Sequence, residues 1–85
     1  MKQIVMNEVV SSQIQSVGYD IETETLYIQF KNGKIYSYKE VEAHVYQEMM
    51  NSESLGKYFN SAIRNFHEHK QTDYVKTDGL ITIQS

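Results

Sequence analysis

A chain of 85 residues with 40% hydrophobic content suffices for one small domain, here residues 1 to 85, and leaves no room for a second. It has no cysteine, which excludes a disulfide framework and thiolate metal sites. Eight Lys and Arg against eleven Asp and Glu give a net charge of −3, with the cations scattered, which argues against a long polyanion as partner because affinity for one comes mostly from phosphate neutralisation. A small ligand with one or two phosphates needs only a local positive site. No stretch approaches the roughly 18 apolar residues of a membrane span. The opening Met1-Lys2-Gln3-Ile4-Val5 lacks the apolar region of a secretory signal. A cytoplasmic protein is the expectation.

In chain order, Ser12 to Tyr19 reads as a strand that turns through Asp20 to Glu24 into a second strand at Leu26. Lys31-Asn32-Gly33-Lys34 follows, and Asn-Gly takes the positive φ values of a two-residue type I′ turn. That turn pairs Phe30 with Ile35, Ile28 with Ser37 and Tyr27 with Tyr38. Leu26, Ile28, Phe30 and Ile35 then share an aliphatic face, and Tyr27, Tyr36 and Tyr38 share the other. Tyr36-Ser37-Tyr38 on such a face serves either as a platform on which a base stacks or as the rigid, hydroxyl-tipped area of a dimer interface.

Val41, Val45 and Met49 recur at intervals of four, which predicts a helix from about Glu42 to Met50, broken at Asn51-Ser52-Glu53. Ser54 is placed to cap a second helix over residues 54 to 64. There Leu55, Tyr58, Phe59, Ala62, Ile63 and Phe66 point to a core, while Lys57, Asn60, Ser61 and Arg64 line another face. That stripe is either a solvated helix surface or a binding stripe. Ser54-Leu55-Gly56-Lys57 is an anion-site candidate, since a helix start offers unpaired N–H groups and partial positive charge; alternatively Gly56 only permits a close crossing. It is not a Walker loop.

His67-Glu68-His69 offers two imidazoles that diverge by about 160° on a helix, so a solvated helix end is preferred to a metal site. In the tail from Gln71 to Ser85, Tyr74-Val75-Lys76 and Leu80-Ile81-Thr82-Ile83 flank Thr77-Asp78-Gly79, a second hairpin signal and a short β appendage. No Ser, His and Asp set has motif context, and no catalytic residue, cofactor or metal is expected.

The chain resembles the KTSC domain, a small module named for its occurrence at the C-terminus of some lysyl-tRNA synthetases and also found as stand-alone bacterial and phage proteins. The features that carry the resemblance are Ser11-Ser12, Val17-Gly18-Tyr19-Asp20, Leu26 to Phe30, Asn32-Gly33, Tyr36-Ser37-Tyr38, Val45-Tyr46 and Ser54 to Arg64. They cover about residues 9 to 66. Glu42 and Ser52 depart from the proline and alanine usual in the family. The resemblance implies a compact α+β module, with RNA binding suggested by the synthetase context.

Together these readings predict an α+β domain: a three-stranded antiparallel β-meander covered by two short helices, with a C-terminal β appendage over residues 71 to 85. The expected function is non-enzymatic binding of a phosphorylated, nucleotide-like ligand, with Tyr36 and Tyr38 stacking and Ser54, Gly56, Lys57, Asn60 and Arg64 holding phosphate or ribose. Phage sponges that sequester nucleotide immune signals are an analogous class. An RNA-binding accessory module and a protein-interaction module using the tyrosine face are the alternatives. A homo-oligomer is expected because a small domain without disulfide or metal gains stability by association, with Leu80 to Ile83 as the edge strand for it.

Overall fold

The computed structural model describes residues 2–83, so residues 84 and 85 of the expected appendage lie outside the described residues. The chain forms β1 (Lys2–Val5), β2 (Asn7–Glu8), β3 (Ile14–Asp20), β4 (Thr25–Phe30), β5 (Ile35–Tyr38), α1 (Ala43–Asn51), α2 (Leu55–Ala62), β6 (His69–Thr72), β7 (Tyr74–Thr77) and β8 (Leu80–Ile83). The fold is α+β, but it is larger than a covered meander. The β3-β4-β5 meander is the centre of a five-stranded antiparallel sheet in the order β2-β3-β4-β5-β6, and β1, β8 and β7 make a second, three-stranded sheet.

The two sheets and two helices stack as three layers around two cores. On one face of the central sheet, Ile14, Val17, Leu26, Ile28 and Tyr38 meet Val41, Met49, Phe59 and Ile63 from the helical segment. On the other face Tyr27 and Ile35 meet Ile4, Met6, Ile81 and Ile83. Strands buried on both faces explain why Leu26-Tyr27-Ile28 is continuously apolar and does not alternate. The expected appendage is therefore a covering layer. Leu80 to Ile83 is the middle strand of its sheet, between β1 and β7, and offers no edge for self-association.

The two Gly-containing turns behave differently. Asp78 and Gly79 both have positive φ (49° and 81°) and join Thr77 to Leu80 as a two-residue hairpin, as the type I′ preference predicts. At the other hairpin only Gly33 has positive φ (92°). Gly33 N–H donates to Phe30 O at 2.9 Å and Phe30 N–H to Lys34 O at 2.9 Å, which is a three-residue loop closed by a bulged glycine. The pairing is thus Leu26 with Tyr38, Tyr27 with Ser37, Ile28 with Tyr36 and Gln29 with Ile35, one residue away from the expected register. A shift of one flips every side chain of the strand. Tyr36 and Tyr38 join the helix-covered face with Leu26 and Ile28, while Ile35 and Ser37 join Tyr27 on the face beneath the second sheet. Tyr36 and Tyr38 share a face, as expected, but Tyr27 lies on the opposite one.

The helices fall where the periodicity predicts, within a residue at each end of α1. Ser54 caps α2, its Oγ accepting from Lys57 N–H at 3.4 Å. Phe59 and Ile63 are fully buried. The helical phase ends at Ala62, because Ile63 leaves the helical region (φ −121°), and Phe66 is consequently 73% exposed and outside the core. Tyr19 ties α1 to the sheet by stacking on Tyr46 at 4.6 Å and donating its hydroxyl to Val41 O at 2.6 Å.

Candidate functional site

The His67-Glu68-His69 segment is not a helix end. Lys39 N–H donates to Glu68 O at 2.9 Å, the His67 ring meets Lys39 O through Nδ1 at 3.0 Å, and His69 begins β6, pairing with Tyr38. The imidazole of His69 stacks on the Tyr38 ring at 5.4 Å and 30° and tilts against Tyr36 at 6.1 Å. Tyr38 is held from below by the edge of Phe59 at 5.2 Å, and Phe30 meets Tyr36 edge-on at 5.8 Å. These contacts fix three rings at the mouth of a groove.

The groove, about 290 Å³, is lined by Phe30, Tyr36, Tyr38, His69 and Arg64. Arg64 stands just past α2, its backbone N–H bonded to Phe59 O at 2.9 Å and its guanidinium reaching Asn60 Oδ1 at 3.4 Å. Burial pushes the Tyr38 hydroxyl up to about 12, against the opposing pull of the Arg64 cation. Tyr38 is thus a neutral phenol across the physiological range. It is also only 3% exposed, so an incoming ring meets His69 and the half-buried Tyr36 first.

The remaining predicted residues lie elsewhere. Ser54, Gly56, Lys57 and Asn60 line a second hollow of about 250 Å³ with Ser11, Gln13 and Glu53 among others. A Cβ at Gly56 would stand 3.2 Å from Ser11 Oγ, so the glycine serves the close approach of α2 to the β2–β3 connection. The Lys57 N–H is occupied by the Ser54 cap, and Glu53 adds a negative charge. Both observations weaken this hollow as an anion site. The seven predicted residues therefore divide, with Tyr36, Tyr38 and Arg64 in one groove, the other four in the hollow, and the Asn60–Arg64 hydrogen bond between them.

Phe30 and His69 complete the aromatic groove and were not anticipated as binding residues. The signal for His69 was the His-x-His spacing, which favours one side of an extended segment over a helix face. The strand itself, His-Lys-Gln-Thr, is too polar to announce itself. Among the described residues no three His, Cys, Asp or Glu side chains converge as a metal site, and no helix is long and apolar enough to cross a membrane.

Comparison with known proteins gives a consistent picture. The family model of the KTSC domain matches residues 10–67. The crystal structure of a KTSC domain protein from Yersinia pestis superposes with a TM-score of 0.77 at 31% identity, covering 82% of this chain and 99% of that one. A protein of Stutzerimonas stutzeri is 34% identical over 67 residues, 79% of this chain and 90% of its own length. A lysine--tRNA ligase of Nostoc punctiforme is 33% identical over 60 residues, which are 71% of this chain and 11% of the ligase.

Proposed function

The chain belongs to the KTSC domain family, and from that premise we propose that it binds, without chemical turnover, a small phosphorylated ligand carrying a base-like ring. The observation that carries this reading is one groove holding the rings of Tyr36, Tyr38 and His69 together with the Arg64 guanidinium. A planar base stacks against His69 and Tyr36, each such contact contributing roughly 1–3 kcal/mol. The phosphate meets the planar fork of Arg64, which pairs bidentately with its oxygens. Tyr38, a phenol that burial pushes further above physiological pH, keeps its hydroxyl proton. The groove volume, about 290 Å³, lies just below the roughly 300–1,000 Å³ typical of ligand sites, which suits one nucleotide unit and no more. Sequestration of a nucleotide signal is the use such a site supports.

A second reading has its own support. The matched stretch also occurs within lysine--tRNA ligases, and the same groove takes one nucleotide of a single-stranded RNA. Calorimetric titration with mononucleotides, cyclic dinucleotides and a short single-stranded RNA separates the two. A free nucleotide binds with a shallow salt dependence, whereas an RNA held along its backbone gives a steep log-log slope. Arg64→Ala is expected to weaken binding by about 1.5–3 kcal/mol, the range for hydrogen bonds to charged groups, and His69→Ala by roughly 1–3 kcal/mol. If both variants bind every probe as tightly as the parent, the groove is not the site.

A further inference from the structure

We propose a second ligand site on the opposite face of the same β5–β6 ribbon: a cleft beside the second sheet that takes a small phosphate dianion. The alternation of strand residues creates it. Tyr38 and His69 pair on one face, and their neighbours Ser37 and Lys70 pair on the other. There Tyr27, Ser37, Lys39, Lys70, Thr72 and Asp73, with Ile83, line a cleft of about 270 Å³.

Three observations give the cleft its chemistry. Two lysines reach it from different segments, Lys39 after β5 and Lys70 in β6, and among the described residues neither is in an ion pair. Asp73 is the one carboxylate among the described lining residues, which together carry a net positive charge. The hydroxyls of Tyr27, Ser37 and Thr72 supply uncharged donors, and among the described residues Thr72 Oγ1 is buried with no hydrogen-bond partner. A buried polar atom left unpaired costs about 1–3 kcal/mol, and a ligand oxygen reaching Thr72 removes that cost. Ammonium groups act on phosphate as point charges and need no fixed fork, which matches two lysines at the rim above a hydroxyl-lined interior.

Lys70, Thr72, Asp73 and Ile83 all lie beyond the family match at residues 10–67. The cleft is therefore built largely by the part of this chain that the match does not include, and it is independent of the aromatic groove proposed above.

The test is a titration of ¹⁵N-labelled protein with inorganic phosphate at constant ionic strength held by chloride, read by amide chemical shifts. Saturable shifts are expected at Ser37, Lys39, Lys70 and Thr72. Lys39→Ala and Lys70→Ala, both at exposed positions and so compatible with folding, are each expected to raise the apparent Kd tenfold or more. Loss of binding in the aromatic groove leaves these shifts unaffected, so the two sites fail separately. The proposal is overturned if the cleft amides do not move up to millimolar phosphate, if the saturable shifts map to Tyr36, Arg64 and His69, or if neither lysine variant changes the affinity.

Discussion

Where the helices cover the central sheet, the contact is aliphatic and aromatic, with Phe59 set edge-on between Phe30 and Tyr38. Where the three-stranded sheet covers the other face, a smaller apolar cluster is joined by polar contacts, one buried and the others reaching in from the edge. Ser16 Oγ donates to Gln29 Oε1 at 2.7 Å, and Lys76 Nζ reaches the same oxygen at 3.3 Å. Tyr74 donates its hydroxyl to Gly33 O. Lys2 Nζ crosses between the sheets to Asp20 Oδ2 at 2.6 Å. The first face is held by volume and ring geometry, which tolerate few changes of shape. The second is held by matched partners, which fix where one sheet lies on the other. Both faces then carry a candidate site at the β5–β6 end, aromatic on the helix side and hydroxyl-rich with lysines on the sheet side.

The largest expected break in this contrast is Phe59→Ala. Its ring is fully buried, and removal is expected to cost about 3–5 kcal/mol because the surrounding side chains refill the cavity only in part. Chemical denaturation measures this directly. An unchanged midpoint would mean that the helix-covered core does not hold the domain.

Gly18 tests the other face. A Cβ there would stand 2.6 Å from Met6 Sδ, 2.7 Å from Ile4 Cγ2 and 2.9 Å from Val5 O. The last of these is backbone and moves only with β1. Gly18→Ala is expected to cost about 1–3 kcal/mol by overpacking and to shift methyl resonances of Ile4 and Ile81 more than ring resonances of Phe59. Equal disturbance of both sets would show that the two cores are one cooperative packing unit.

A smaller effect comes from acid. Burial pushes the Asp20 carboxyl up, but hydrogen bonds from Lys2, Thr23 and the Glu22 N–H outweigh it and hold the group below its ordinary value of 3.8. The unfolded chain therefore takes up this proton at higher pH than the folded one. The contribution is complete above the unfolded value and is lost as pH falls through the folded one. Stability of the parent is expected to drop on acidification below about pH 4, with Asp20→Asn showing a flatter profile there. Identical profiles for the two proteins would remove the Lys2–Asp20 contact as a fastening of the second sheet.

The amino-acid sequence by itself determined the local elements. The i, i+4 recurrence of Val41, Val45 and Met49, the Ser54 cap, and the Asp-Gly turn between Thr77 and Leu80 are decided within a few residues of chain, where periodicity and φ preference act directly. Tertiary structure decided what those signals leave free. Asn32-Gly33 is compatible with two loop lengths that differ by one residue, and burial of Tyr38 against Phe59 and of Ile35 against the second sheet accompanies the three-residue loop. The strand His69–Thr72 carries almost no apolar pattern, because its value lies in hydrogen bonds to β5 and in single side chains on each face. Of the candidate groove, Tyr36, Tyr38 and Arg64 were legible as residues of the right chemistry. That they meet His69 and not Lys57 follows from a one-residue register and a polar strand, both set by contacts between segments distant in the chain.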